Sequence, residues 1–88
     1  MEDSGRLFTI EQLDGSNYYT WRDQVQALLA CKKLWKYVTG TKALETEEAK
    51  EDDESARGLI QLTLKRNVRG TIRNCKTSKE AWEALEKV

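Results

Sequence analysis

Nine consecutive residues, Leu13-Asp14-Gly15-Ser16-Asn17-Tyr18-Tyr19-Thr20-Trp21, restrict what this chain can become more than any other stretch. Asp14 and Gly15 are a turn signal, Ser16 or Asn17 supplies a helix cap, and Tyr18 and Trp21 fall one helical turn apart on one face. Aromatic side chains bury more apolar area than any others, so a helix opening on this pair has to be covered by the rest of the chain. At 88 residues there is material for one domain. Such a domain buries only roughly 60 to 65 per cent of its unfolded surface, which leaves stability modest or completed by self-association.

The cover is written in steps of three and four. From Asn17 to about Lys32 the apolar positions Tyr18, Trp21, Val25, Leu28 and Leu29 trace one helical face, and Lys32 and Lys33 close it with the charge that suits a helix C-terminus. Leu34 to Val38 forms a short second helix with Trp35 and Val38 inward, stopped at Gly40. Thr46 caps a third helix, with Glu47 and Glu48 in its first turn. Ala56, Leu59 or Ile60, Leu64, Val68 and Ile72 continue at the same spacing and predict one long helix ending near Val68 or Gly70. Thr77-Ser78-Lys79-Glu80 is a capping box opening a last helix that turns Ala81, Trp82, Leu85 and Val88 inward. That pattern is still running at Val88, as expected of a piece of something longer. Ahead of the helices, Leu7 to Leu13 alternates Phe8 and Ile10 with polar neighbours and reads as an extended arm with no second strand to pair with.

The expectation is therefore an all-α bundle of about four to five helices with an extended N-terminal arm, residues 1–6 disordered and 7–88 folded. Its expected core is Leu13, Tyr18, Trp21, Val25, Leu28, Trp35, Ile60, Leu64, Trp82 and Leu85.

Several classes of function lack their chemistry here. No apolar run approaches the roughly 18 to 20 residues a membrane span needs, and Met1-Glu2-Asp3-Ser4 is no signal peptide, so a soluble intracellular protein without a membrane partner is expected. There is no histidine to act as a base, no GxGxxG or GxxxxGK[ST] loop, and no carboxylate pair in an apolar setting. Asp3-Ser4-Gly5 spells the short motif of aspartic proteases without the flanking apolar strands such a site needs. Cys31 and Cys75 lack CxxC spacing and cannot alone build a zinc site; two buried free thiols are the favoured reading over a disulfide. No enzyme, metal or cofactor is expected.

Net charge is zero but unevenly spread: residues 1–44 sum to +1, 45–56 to −6 and 57–88 to +5. An acidic block followed by a basic one suits head-to-tail contact between identical molecules as well as it suits two solvated helix faces. Lys65, Arg66, Arg69 and Arg73 form the basic flank of the expected third helix and are the candidate contacts to nucleic acid, through phosphate. Tyr19, on the far side of its helix from Trp21, is the candidate surface aromatic.

Three motifs in order, Leu13 to Trp21, Leu34-Trp35-Lys36-Tyr37-Val38-Thr39-Gly40, and Cys75-Lys76-Thr77-Ser78-Lys79-Glu80-Ala81-Trp82-Glu83-Ala84-Leu85, resemble the N-terminal part of the Gag polyprotein of Ty1/copia-type LTR retrotransposons. The resemblance implies the N-terminal lobe of a two-lobed capsid protein. Such a protein, from an active element or a gene derived from one, assembles with itself in the cytoplasm into virus-like particles around RNA. Members usually carry a zinc knuckle for RNA further on, which implies that RNA is held beyond residues 7–88. Two rival functions remain open: a nucleic-acid-binding module using Lys65 to Arg73, and a host adaptor that receives a peptide in a groove between helices.

Overall fold

A computed structural model describes residues 10–87. The expected disordered start at 1–6, Phe8 of the arm, and Val88 lie outside the described residues. Among the described residues there are five α-helices: α1 (Tyr18–Cys31), α2 (Trp35–Val38), α3 (Glu47–Leu62), α4 (Arg66–Arg69) and α5 (Ser78–Glu86), with a 3-10 turn at Gly70–Ile72 between the last two. The domain is all-α, and no strand forms among the described residues.

The helices end where local chemistry stops them. The Thr46 hydroxyl accepts from the Ala49 amide at 3.0 Å and caps α3, and the Thr77 hydroxyl accepts from the Glu80 amide at 3.1 Å and caps α5. The returning half of the box is displaced by one residue, since the Glu80 carboxylate accepts from the Lys76 amide at 2.8 Å. α1 closes with the Leu34 amide donating to the Leu29 carbonyl (2.8 Å) and the Lys33 amide to the Ala30 carbonyl (3.0 Å). That pairing places Lys33 at a φ of +63°, a left-handed position glycine usually fills. Leu34 and Leu29, which flank the reversal, are both buried.

Trp21, fully buried, stacks on Trp82 of α5 with centroids 5.2 Å apart and planes at 26°. Trp35 of α2 meets the same Trp82 edge-on, at 5.1 Å and 83°. Three indoles from three helices thus share one cluster, in offset and edge-to-face geometries that aromatic quadrupoles favour. Val25 and Leu29 of α1, Ala56 and Ile60 of α3, and Ala81 and Leu85 of α5 close the core around it.

The expected long third helix is two helices. α3 stops at Leu62, and Lys65 is extended (φ −70°, ψ 158°) before α4 begins. In a continuous helix the Thr63 carbonyl would accept from residue 67 and the Lys65 amide would donate to residue 61. Instead the Leu13 amide donates to the Thr63 carbonyl (2.9 Å) and the Lys65 amide to the Leu13 carbonyl (3.0 Å), forming an isolated parallel bridge between Leu13 and Leu64. The arm replaces the helical ladder for one turn. The apolar period passes through the break unchanged, with Ile60, Leu64, Val68 and Ile72 all buried, so spacing alone could not reveal it.

Candidate functional site

The turn before α1 is closed by its own polar groups. Gly15 takes a φ of +102°, and the Asp14 carboxylate accepts from the Ser16 amide (2.8 Å) and the Ser16 hydroxyl (2.7 Å). These two donors, with Lys65 nearby, hold the Asp14 carboxyl below the usual carboxylate range. Asn17 sits at the N-cap without capping. Its side chain accepts from the Asp14 amide (3.1 Å) and donates to the Gln12 carbonyl (3.0 Å), so it fastens the arm to the turn rather than the helix to its first amides.

The arm, α1 and α3 enclose a groove of about 740 Å³. Ile10, Leu28, Leu59 and Leu62 line it, with Glu11 and Asp14 from the arm and turn and Lys32 and Lys65 from the helical side. Leu62 is 69 % exposed there. Leu28, expected in the core, is half-buried on this groove, because the buried stripe of α1 runs Trp21, Val25, Leu29 and Leu28 lies about 100° away from Leu29 around the helix. Tyr18 and Trp35, also expected inside, are half-buried and pack against the core from its edge. Leu13, Trp21, Val25, Ile60, Leu64, Trp82 and Leu85 are buried.

The basic residues do not make one flank. Lys65, Arg66, Arg69 and Arg73 are all exposed, but the break after Leu62 distributes them. Lys65 opens onto the groove, Arg69 and Arg73 line a separate recess with Arg57, and Arg66 lines neither. Arg69 also serves the fold, its Nε donating to the Leu64 carbonyl at 3.1 Å. Tyr19 is 77 % exposed and meets Tyr18 edge-on at 5.4 Å. The cysteines are free thiols, with Cys31 exposed and Cys75 half-buried. The expectation of two buried thiols fails at Cys31 because that position, two after Leu29, faces away from the stripe.

Asp53 and Tyr37 went unnoticed in the sequence. Asp53, 4 % exposed, takes both the amide (3.1 Å) and the hydroxyl of fully buried Ser78, the first residue of α5. A carboxylate of α3 therefore occupies the positive end of α5, where hydrogen bonds and the helix dipole both favour it. Buried Tyr37 donates its phenol to the Asp52 carboxylate at 3.0 Å; burial first, and that carboxylate second, push the phenol above its ordinary range. Asp53 could have been found, because Ala49, Asp53, Ala56 and Ile60 follow the same steps of four and three. Among the described residues no three His, Cys, Asp or Glu side chains group so as to hold a metal ion, and no helix is long and apolar enough to cross a membrane.

For a small helical domain of this kind, lineage is more informative than any one site. The family model described as gag-polypeptide of LTR copia-type matches residues 25–88. The chain belongs to that family. Two of the three sequence motifs, Leu34 to Gly40 and Cys75 to Leu85, lie inside the matched region of this Gag domain; Leu13 to Trp21 precedes it. No curated protein and no solved structure matches the chain. Gag-family domains are structural rather than enzymatic proteins.

Proposed function

We propose that this Gag domain is a structural capsid module, the N-terminal lobe of a copia-type capsid protein, from an element or a gene derived from one. In this reading it meets copies of itself in cytoplasmic virus-like particles, with RNA held mainly by other parts of the polyprotein, and it catalyses nothing. The observation that carries the reading is the family match over residues 25–88. Two features of the surface agree with it. The indoles are spent on the core, leaving Leu62 and Tyr19 outside as exposed large side chains. Charge divides along the chain between an acidic stretch at 45–56 and a basic one at 57–88, a division compatible with head-to-tail contact.

Sedimentation of the 88-residue chain at rising concentration tests it. Weight-average mass should climb by about 1 mM protein, with a salt dependence where acidic and basic faces meet. A strict monomer at that concentration in both low and high salt would overturn the reading.

One observation favours a second reading. The groove of about 740 Å³ with Ile10, Leu28, Leu59 and Leu62 on its walls is the kind of cleft a peptide-binding adaptor needs. That reading requires a monomer whose Leu62→Lys variant stays folded yet loses a bound peptide.

A further inference from the structure

A second concavity, about 430 Å³, lies between α3 and the segment that follows the break, with the core residue Ile72 in its wall. Three arginines line it: Arg57 from the middle of α3, Arg69 from the end of α4, and Arg73 just past the 3-10 turn. Glu54 is the one acid among its lining residues. A chain with 15 acids and 15 bases has brought three positive groups together and supplied a single negative one.

Two of the three are already tethered by the fold. The Arg57 Nη1 donates to the Cys75 carbonyl at 3.1 Å, and the Arg69 Nε donates to the Leu64 carbonyl at 3.1 Å. Each bond uses one of five guanidinium N–H groups and leaves four. Glu54 stands 4.0 Å from Arg57 Nη2, too far to consume a donor by hydrogen bonding. Anchored stems reduce the ordering cost of binding, and planar forks match phosphate oxygens two at a time.

We propose that the recess formed by Arg57, Arg69 and Arg73 is a phosphate-binding site. Its ligand carries a phosphate monoester or diester, and its volume sits toward the lower end of the range of about 300 to 1,000 Å³ usual for small-ligand cavities, room for about one nucleotide. The phosphate can belong to a free small molecule or to one position of an RNA strand. The site stands on its own geometry, whether or not the domain assembles.

NMR titration of the 88-residue chain with inorganic phosphate, and separately with a ten-nucleotide oligouridylate at about 50 mM salt, tests the proposal. Amides from Gly70 to Cys75 should shift. Arg73→Gln should weaken phosphate binding about tenfold, and Arg73→Lys, which keeps the charge and loses the fork, should weaken it too. Arg66→Gln removes the same charge outside the recess and should cost less than about twofold. Oligouridylate displacing phosphate from these amides, with a salt slope lowered by about one in Arg73→Gln, identifies a strand as occupant. A response to inorganic phosphate alone identifies a free phosphate. Equal weakening by Arg66→Gln and Arg73→Gln, or no shift of the Gly70 to Cys75 amides with either ligand, would overturn the site.

Discussion

At the scale of single residues, two side chains carry demands that their neighbours alone meet. The Trp21 indole N–H is buried and donates to the Thr63 hydroxyl at 3.0 Å, while that hydroxyl donates to the Ile60 carbonyl at 2.6 Å. Thr63→Val keeps the shape and removes the acceptor, leaving the indole N–H without a partner in the core. A loss of about 1 to 3 kcal/mol in urea denaturation is expected, with helix content unchanged in the native baseline. Lys33 is the opposite case, a residue whose backbone would be easier for another side chain. Its left-handed φ of +63° costs a non-glycine residue about 1 to 2 kcal/mol, against about 0.5 to 1 kcal/mol of extra chain entropy that glycine loses on folding. Lys33→Gly should therefore stabilise the domain, by about 0.5 kcal/mol in the same assay.

At the scale of elements, the tie between α3 and α5 is polar as well as apolar. Asp53→Ala would strip the carboxylate from the buried Ser78 amide and hydroxyl and from the start of α5. A destabilisation of about 2 to 3 kcal/mol is expected, with faster hydrogen exchange at the α5 amides than at those of α1. Asp53→Asn keeps one acceptor oxygen and should lose about half as much. What the sequence disclosed at this scale follows from which bonds are local. Caps at Thr46 and Thr77, the α1 stripe through Trp21 and Val25, and the inward faces of Trp82 and Leu85 depend on residues within a turn or two of each other, and spacing reveals them. The break after Leu62 depends on Leu13, about fifty residues earlier, lending its backbone to Thr63 and Lys65, and no local pattern carries that information. The same long-range event scatters Lys65, Arg66, Arg69 and Arg73, which share a flank only on a continuous helix. Asp53 was hidden differently: it lies on a readable stripe but among seven acids, where a solvated face is the ordinary reading.

At the scale of the whole molecule, the core and the surface divide the work. Trp21, Trp35 and Trp82 hold α1, α2 and α5 together. Outside them stand the groove with Leu62, the exposed ring of Tyr19 and the arginine recess. The capsid reading proposed for this copia-type Gag domain would use such a surface for contact with further copies. Interfaces between copies of a chain close by symmetry, and stable ones bury roughly 1,000 Å² or more in total. The most direct measurement is the structure of an assembled form, by electron microscopy of the concentrated protein. The result expected is a repeating contact of about that area through the outer helix faces, with the indole cluster of each copy intact. Copies that touch only through small, unrelated contacts, or that meet by opening the Trp21 and Trp82 stack, would contradict it.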